Sequence, residues 1–385
     1  MAVGIISTSY NSPETFVATW DFINIDYVPT DAEAFVGVTL GGGIDASSYN
    51  TGSFEITNNS PTQNIQSVTI DLSESLLPDI VFDPDDGSSA GDTTNKCLVI
   101  DSESDDTGYV VPGDNCINPF SLPHQDGYYA VTLDFTDFNP GETINFSVDV
   151  DPTSIKGSTA PGPEDAGSVS GLELTGSAVT VEFSDLATFV SDLYKQPGSN
   201  GGGQVTLKDQ LPSAPTITFD GLTTPLTTND PNQSVTITGP ADADVALLVA
   251  EAAFFEPSGG AFDPDPFEAN SVVAVKEYTA TLDGSGSATI PVTLTNQDPT
   301  AADAYGFNYM AAVVLDADGD TSPTSNVEVV EYDPDFQPTQ VLFRVNNGGP
   351  QIEAADASEP DWSEDQVPSG AGNAAQTGTP SPYVN

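Results

Sequence analysis

Val131-Thr132-Leu133-Asp134-Phe135-Thr136-Asp137-Phe138-Asn139-Pro140-Gly141-Glu142-Thr143-Ile144-Asn145-Phe146-Ser147-Val148-Asp149-Val150 places apolar side chains at alternate positions on both sides of an Asn-Pro-Gly bend. Successive side chains of a strand point to opposite faces, so this spacing gives each arm one apolar face; a helix would need repeats of three and four. Pro140 presets φ and Gly141 accepts the left-handed position, which makes Phe138 to Glu142 a tight turn. The flanking runs are therefore expected to form an antiparallel hairpin.

The same alternation recurs outward from it, at Val68, Ile70 and Leu72 and again at Val179, Val181 and Phe183. Phe16, Thr19, Phe22 and Tyr27 mark a first, poorly patterned strand region. Helical periodicity is absent, so the expected fold is all-β, a tandem of β-sandwiches. The first occupies 1–196. Pro197-Gly198-Ser199-Asn200-Gly201-Gly202-Gly203 reads as a flexible linker or a long hairpin tip, and with the break from Pro212 to Pro215 it sets the boundary over 197–215. A second sandwich is expected over 216–335, from short runs at Ile217 and Phe219, Val235 and Ile237, Leu247 and Val249, Tyr278 to Leu282, Ile290 to Leu294, Met310 to Val314, and Val327 and Val329. That is the strand count of an immunoglobulin or fibronectin type III sandwich. Asp283-Gly284-Ser285-Gly286 reads as a hairpin turn between the fourth and fifth of these runs. An aromatic and acidic insertion from Glu256 to Asn270 interrupts them; its Phe262 and Phe267 are packing anchors or, alternatively, a sugar contact.

The chain holds 58 acidic residues against 6 basic ones, a formal net charge of −52. Such a field excludes nucleic acid and anionic membrane surfaces as partners, since both need Lys and Arg to neutralise phosphate. Adaptation to high salt and calcium sites within the Asp clusters both account for the acidity. Disorder does not, because the 37% hydrophobic content is organised into strand-like runs. Scarce lysine with abundant Gly, Pro, Ser and Thr describes an extracellular or cell-surface protein. No run approaches the roughly 20 apolar residues that cross a bilayer. Met1 to Tyr10 show neither a basic start nor a long apolar stretch, so no signal peptide is visible.

Cys97 and Cys116 are the two cysteines and flank a loop rich in Asp, Gly and Pro; in a secreted chain they are expected to pair. The acidic stretch from Phe82 to Phe120 is too long for a hairpin connection and reads as an elaborated loop. Within it Asp83, Asp85 and Asp86 are candidate calcium ligands around a sharp turn, or else a solvated acidic loop. Asp316, Asp318 and Asp320 also alternate, so in an extended segment all three carboxylates point one way, toward calcium or as a bare turn.

At the C-terminal end, Val341-Leu342-Phe343-Arg344-Val345-Asn346-Asn347-Gly348-Gly349-Pro350 alternates as a strand and stops at Gly-Gly-Pro; Asp361-Trp362-Ser363-Glu364-Asp365 and Ser381-Pro382-Tyr383-Val384-Asn385 follow. This order resembles the opening of malectin-like domains, β-sandwich carbohydrate-binding modules. The resemblance covers only 339–385, a truncated start of such a domain. It implies glycans or cell-surface polysaccharide as partners, with Tyr383, Asp365 and Trp362 as candidate sugar contacts; Trp362 as a core plug is the plainer reading. The Asp316 to Ser322 turn and the strand order before it resemble bacterial immunoglobulin-like spacer modules.

Catalysis finds little support in the residues. Carboxylates are too plentiful for any glycosidase pair to stand out. The only histidine, His124, sits in Leu122-Pro123-His124-Gln125-Asp126-Gly127 as a turn residue. The expectation is a non-catalytic extracellular modular protein for carbohydrate binding or cell-surface attachment. A calcium-stiffened stalk, or the ancillary part of a larger secreted glycoside hydrolase, are the rival readings.

Overall fold

The computed structural model describes residues 31–78, 80–84, 90, 95–156, 169–219, 226–253, 261–262, 271–296, 306–336, 344–346 and 362–364. The chain is all-β, and among these residues there is no helix, hence none long and apolar enough to cross a membrane. Phe16, Thr19, Phe22 and Tyr27 lie outside the described residues.

The first sandwich packs a six-stranded sheet on a seven-stranded one. The six-stranded sheet runs Tyr194–Lys195, Gly203–Lys208, Glu33–Val38, Phe54–Asn58, Thr143–Ser147, Val99–Glu103. The other runs Thr188–Asp192, Ala178–Phe183, Ile65–Asp71, Gly127–Phe138, Ile80–Phe82, Val150–Pro152, with Phe120–His124 also paired to Gly127–Phe138. The alternating residues meet between the sheets: Val68, Ile70, Val131, Leu133, Ile144, Phe146, Val179 and Val181 are all buried, and Phe54 stacks on Phe146 at 4.7 Å.

The Asn-Pro-Gly bend does not close a hairpin. Gly127–Phe138 pairs with Ile65–Asp71 in one sheet, whereas Thr143–Ser147 pairs with Phe54–Asn58 and Val99–Glu103 in the other. The bend carries the chain across the sandwich. It is anchored sideways: Gly141 donates its amide to the Asn58 carbonyl (2.7 Å) and Asn58 donates back to Glu142 (3.0 Å). Arms that face each other across a core show the same alternation as arms paired side by side, so the pattern alone could not separate them. The Asp283 to Gly286 turn repeats the lesson, because Ser271–Thr281 pairs with Asp244–Ala253 and Ser287–Thr293 pairs with Asn232–Thr238 in a different sheet.

The linker reading of 197–215 is also corrected, and its alternative holds: the glycine stretch is the tip of a hairpin between Tyr194–Lys195 and Gly203–Lys208. Gly203–Lys208 is a strand, paired along its length with Glu33–Val38 and at its start with Tyr194–Lys195. The glycines before it serve close packing: a Cβ on Gly201 would fall 1.7 Å from the Gly43 carbonyl oxygen, and one on Gly203 would fall 2.2 Å from that of Gly171. Glycine marks flexible chain and tight backbone approach alike. The first sandwich thus extends through Lys208.

The second sandwich sets three strands, Thr216–Phe219, Asn232–Thr238 and Ser287–Thr293, against five, in the order Leu226–Thr228, Glu328–Tyr332, Gly306–Leu315, Asp244–Ala253, Ser271–Thr281. Val245, Leu247, Val249, Met310, Ala312 and Val314 of the five-stranded sheet face its own core with Ile217, Phe219, Val235, Ile237, Ile290 and Val292. The opposite face, with Ala246, Leu248, Ala250, Ala252, Phe307, Tyr309, Ala311 and Val313, belongs to the core of the first sandwich. One sheet therefore serves two cores, and the molecule is layered through the boundary rather than strung across it.

Of the remaining segments, Ala261–Phe262 pairs with Ile155–Lys156 and Arg344–Asn346 pairs in parallel with Trp362–Glu364. The rest of the Glu256 to Asn270 insertion and of 339–385 lies outside the described residues.

Candidate functional site

Asp316, Asp318 and Asp320 sit on the turn after Gly306–Leu315 and converge on one cation, the ammonium of Lys208, at 2.9, 3.8 and 2.5 Å. The turn is shaped by Asp316, whose Oδ1 accepts the amides of Asp318 and Asp320 (2.9 Å each), and by Gly319 at φ +89°. Against desolvation, which raises it, Lys208 and these amides hold the Asp316 carboxyl below its usual range. Desolvation works to lower the Lys208 ammonium, but Asp320 and Asp316 hold it above its ordinary value. Lys208 closes a strand of the first sandwich, so this contact ties the two together. Among the described residues no group of three His, Cys, Asp or Glu side chains is placed to hold a metal ion.

Further polar contacts cross the same seam, none of them anticipated from sequence. Glu173, buried in the first sandwich, accepts the Val272 amide of the second at 2.8 Å, while its other oxygen accepts the Ser170 amide (2.7 Å) and hydroxyl (2.9 Å). Burial pushes its carboxyl up to about 7 despite these donors. Asp192 Oδ2 accepts the amide and hydroxyl of Thr324 at 2.8 and 3.0 Å, and burial raises its carboxyl too. Lys195, with only 6% of its side chain exposed, reaches Glu277 at 3.2 Å. One signal pointed here: with 6 basic residues in 385, a lysine in an otherwise alternating strand marks a place that requires a cation.

The other predicted residues are placed as follows. Cys97 and Cys116 form a disulfide, with Cα atoms 4.5 Å apart. Asp83 is buried and its amide donates to the Asp149 carbonyl (3.1 Å), while Asp85 and Asp86 lie outside the described residues. Asp149 and Asp151, also buried, stand on the same side of that ladder as Asp83, a juxtaposition that strand pairing creates and sequence spacing hides. Trp362 begins the short Trp362–Glu364 strand; Asp365 and Tyr383 lie outside the described residues. His124 ends Phe120–His124, and its Nδ1 accepts the Asp126 amide (3.2 Å) across the two-residue turn to Gly127.

No family model matches the chain, and no curated protein does. Among solved structures it is similar to a GH2 β-galacturonidase from Eisenbergiella tayi bound to galacturonate, at 10% identity and TM-score 0.15, covering 81% of this chain and 45% of that one. A putative β-galactosidase from Bacteroides fragilis follows at 9% identity and TM-score 0.16, covering 81% and 36%. A calcium-binding mutant of Bacteroides uniformis β-glucuronidase 2 shows 10% identity and TM-score 0.17, covering 79% and 32%. The chain spans less than half the length of each, and at such TM-scores the likeness carries no argument.

Proposed function

We propose that this chain is a non-catalytic structural module of an extracellular or surface-attached protein, a stiff pair of β-sandwiches that spaces and presents neighbouring segments, the malectin-like stretch 339–385 and its glycan contacts among them. The observation that carries this reading is the five-stranded sheet with one face in each core. Two modules joined only by a linker can swing; two that share a buried sheet bend only by exposing it to water. The contacts of Lys208, Lys195, Glu173 and Asp192 fix the register of that seam. The disulfide and the surface charge suit life outside the cell.

Calorimetry combined with small-angle scattering tests the proposal. A single unfolding transition for both sandwiches, and a scattering curve fitted by one rigid body, are the expected results. Two separate transitions, or a curve that requires a hinge near residues 209–215, would overturn it, as would turnover of a glycoside substrate.

A further inference from the structure

The loop closed by Cys97 and Cys116 surrounds a groove of about 340 Å³ whose lining residues all lie between Leu98 and Asn115. Its two limbs rest on different sheets. One contains Val99–Glu103, the edge strand of the six-stranded sheet. The other is tied to the seven-stranded sheet, where Val110 donates to the Asp134 carbonyl (2.8 Å) and Thr136 donates to that of Gly108 (3.0 Å). Leu98 and Asn115 close the neck beside the disulfide, the Leu98 amide donating to the Asn115 carbonyl at 3.3 Å. The groove is thus held open by its frame.

Its walls combine two kinds of surface. Val99, Ile100 and Val111 make an aliphatic side, with Val99 41% and Val111 69% exposed, unusual for valine in so polar a chain. Glu103 and Asp106 supply carboxylates; Glu103 accepts only the Thr107 hydroxyl and Asp106 only the Gly108 amide among the described contacts. Tyr109 packs its ring against Phe135, the centroids 6.1 Å apart. Burial, then Asp134, pushes its hydroxyl up to about 12, keeping it neutral.

No lysine of known placement serves these carboxylates. Lys96 donates to the Tyr49 carbonyl, Lys195 pairs with Glu277, Lys208 with the Asp316 turn, and Lys276 donates to Thr293. A net charge of −52 repels anionic ligands and draws cations. An aliphatic stem ending in a positive head matches an aliphatic wall ending in two carboxylates. We propose that the groove binds a lysine or arginine side chain presented by a partner protein. This goes beyond the spacer reading and does not rest on it.

The experiment titrates the full chain, methyl- and amide-labelled, with the peptide Gly-Gly-Lys-Gly-Gly at physiological salt. Saturable shifts confined to residues 98–115 are expected. A peptide with norleucine for lysine should bind at least tenfold more weakly, and so should the peptide to Glu103→Gln/Asp106→Asn. Val111→Ser removes aliphatic wall at an exposed position with no part in the fold, and should weaken binding severalfold. Shifts scattered over the acidic surface, equal binding of the norleucine peptide, or unchanged affinity in both variants would overturn the proposal. Saturable shifts of the same residues with maltopentaose, and none with the peptide, would assign the groove to a neutral sugar instead.

Discussion

The two sheets of the second sandwich differ in one respect that organises the molecule. In the three-stranded sheet, Ser287–Thr293 buries Ile290 and Val292 and leaves Thr289, Pro291 and Thr293 in solvent. In the five-stranded sheet, Gly306–Leu315 is buried at every position but its last. Alternation is the mark of one wet face; its loss marks a sheet with a partner on both sides. The difference teaches that the boundary between sandwiches is written in the strands and not in the segment that connects them.

Truncating the seam should produce the largest effect. Leu248 lies on the face that enters the first core, and Leu248→Ala is expected to cost about 2–5 kcal/mol through lost burial and the cavity left behind. Thr289→Ala, on the wet face of the three-stranded sheet, should change stability by less than about 0.5 kcal/mol. Denaturant unfolding followed by fluorescence compares them. If Leu248→Ala destabilised only the second sandwich, or no more than Thr289→Ala did, the shared core would not be what joins the modules.

A smaller effect sharpens the same comparison through pH. Burial lifts the Glu173 carboxyl from an ordinary 4.5 to about 7, so the folded state holds this proton more tightly than the unfolded chain does. Its contribution is therefore complete below 4.5 and is lost as pH rises through 7, by on the order of 3 kcal/mol at most. Glu173→Gln cannot ionise and should flatten the stability profile across that window. Parallel profiles for the variant and the wild type would show that Glu173 does not titrate at the seam.

Much of this fold was legible in the sequence, and the failures share a cause. The inward positions Val68, Ile70, Leu133, Phe146, Val181, Ile237 and Val292 follow directly from period-two patterning, because burial on one side is a local property of a strand. Which strands pair is not local. The Asn139-Pro140-Gly141 and Asp283 to Gly286 bends have turn chemistry, yet both cross between sheets, since the choice depends on neighbours such as Asn58 that lie far away in sequence. Gly201 and Gly203 looked like slack chain for the same reason: the carbonyls they make room for belong to Gly43 and Gly171. The seam was visible in part. Val245-Ala246-Leu247-Leu248-Val249-Ala250 and Met310-Ala311-Ala312-Val313-Val314 are continuous apolar runs, and reading only their alternate members conceals the second buried face. At Asp316, Asp318 and Asp320, alternation brought the carboxylates to one side, but the cation between them comes from a strand about a hundred residues earlier.

Lys208→Met should give a smaller effect than either seam variant, Leu248→Ala or Glu173→Gln, and isolate the polar part of the seam. Its side chain is mostly covered, with 19% exposed, whereas the Asp318 side chain is 84% exposed and contributes little. Removing the charge leaves Asp316 and Asp320 facing each other without compensation, at an expected cost of about 1 kcal/mol in dilute buffer. The pH window follows from the signs. Asp316 is held below its usual range, so its part of the stability is present at neutral pH and disappears as acid protonates it, while the raised Lys208 stays charged until well into alkali. The wild type should therefore exceed the variant at pH 7, and the gap should close as acid takes the pH below the ordinary carboxylate range and protonates Asp316. Screening acts the same way: in molar salt the Debye length shrinks to about 3 Å and the gap should narrow. A gap that persists in acid and in salt would mean that Lys208 acts through the packing of its aliphatic stem, and that apolar contact alone aligns the two sandwiches.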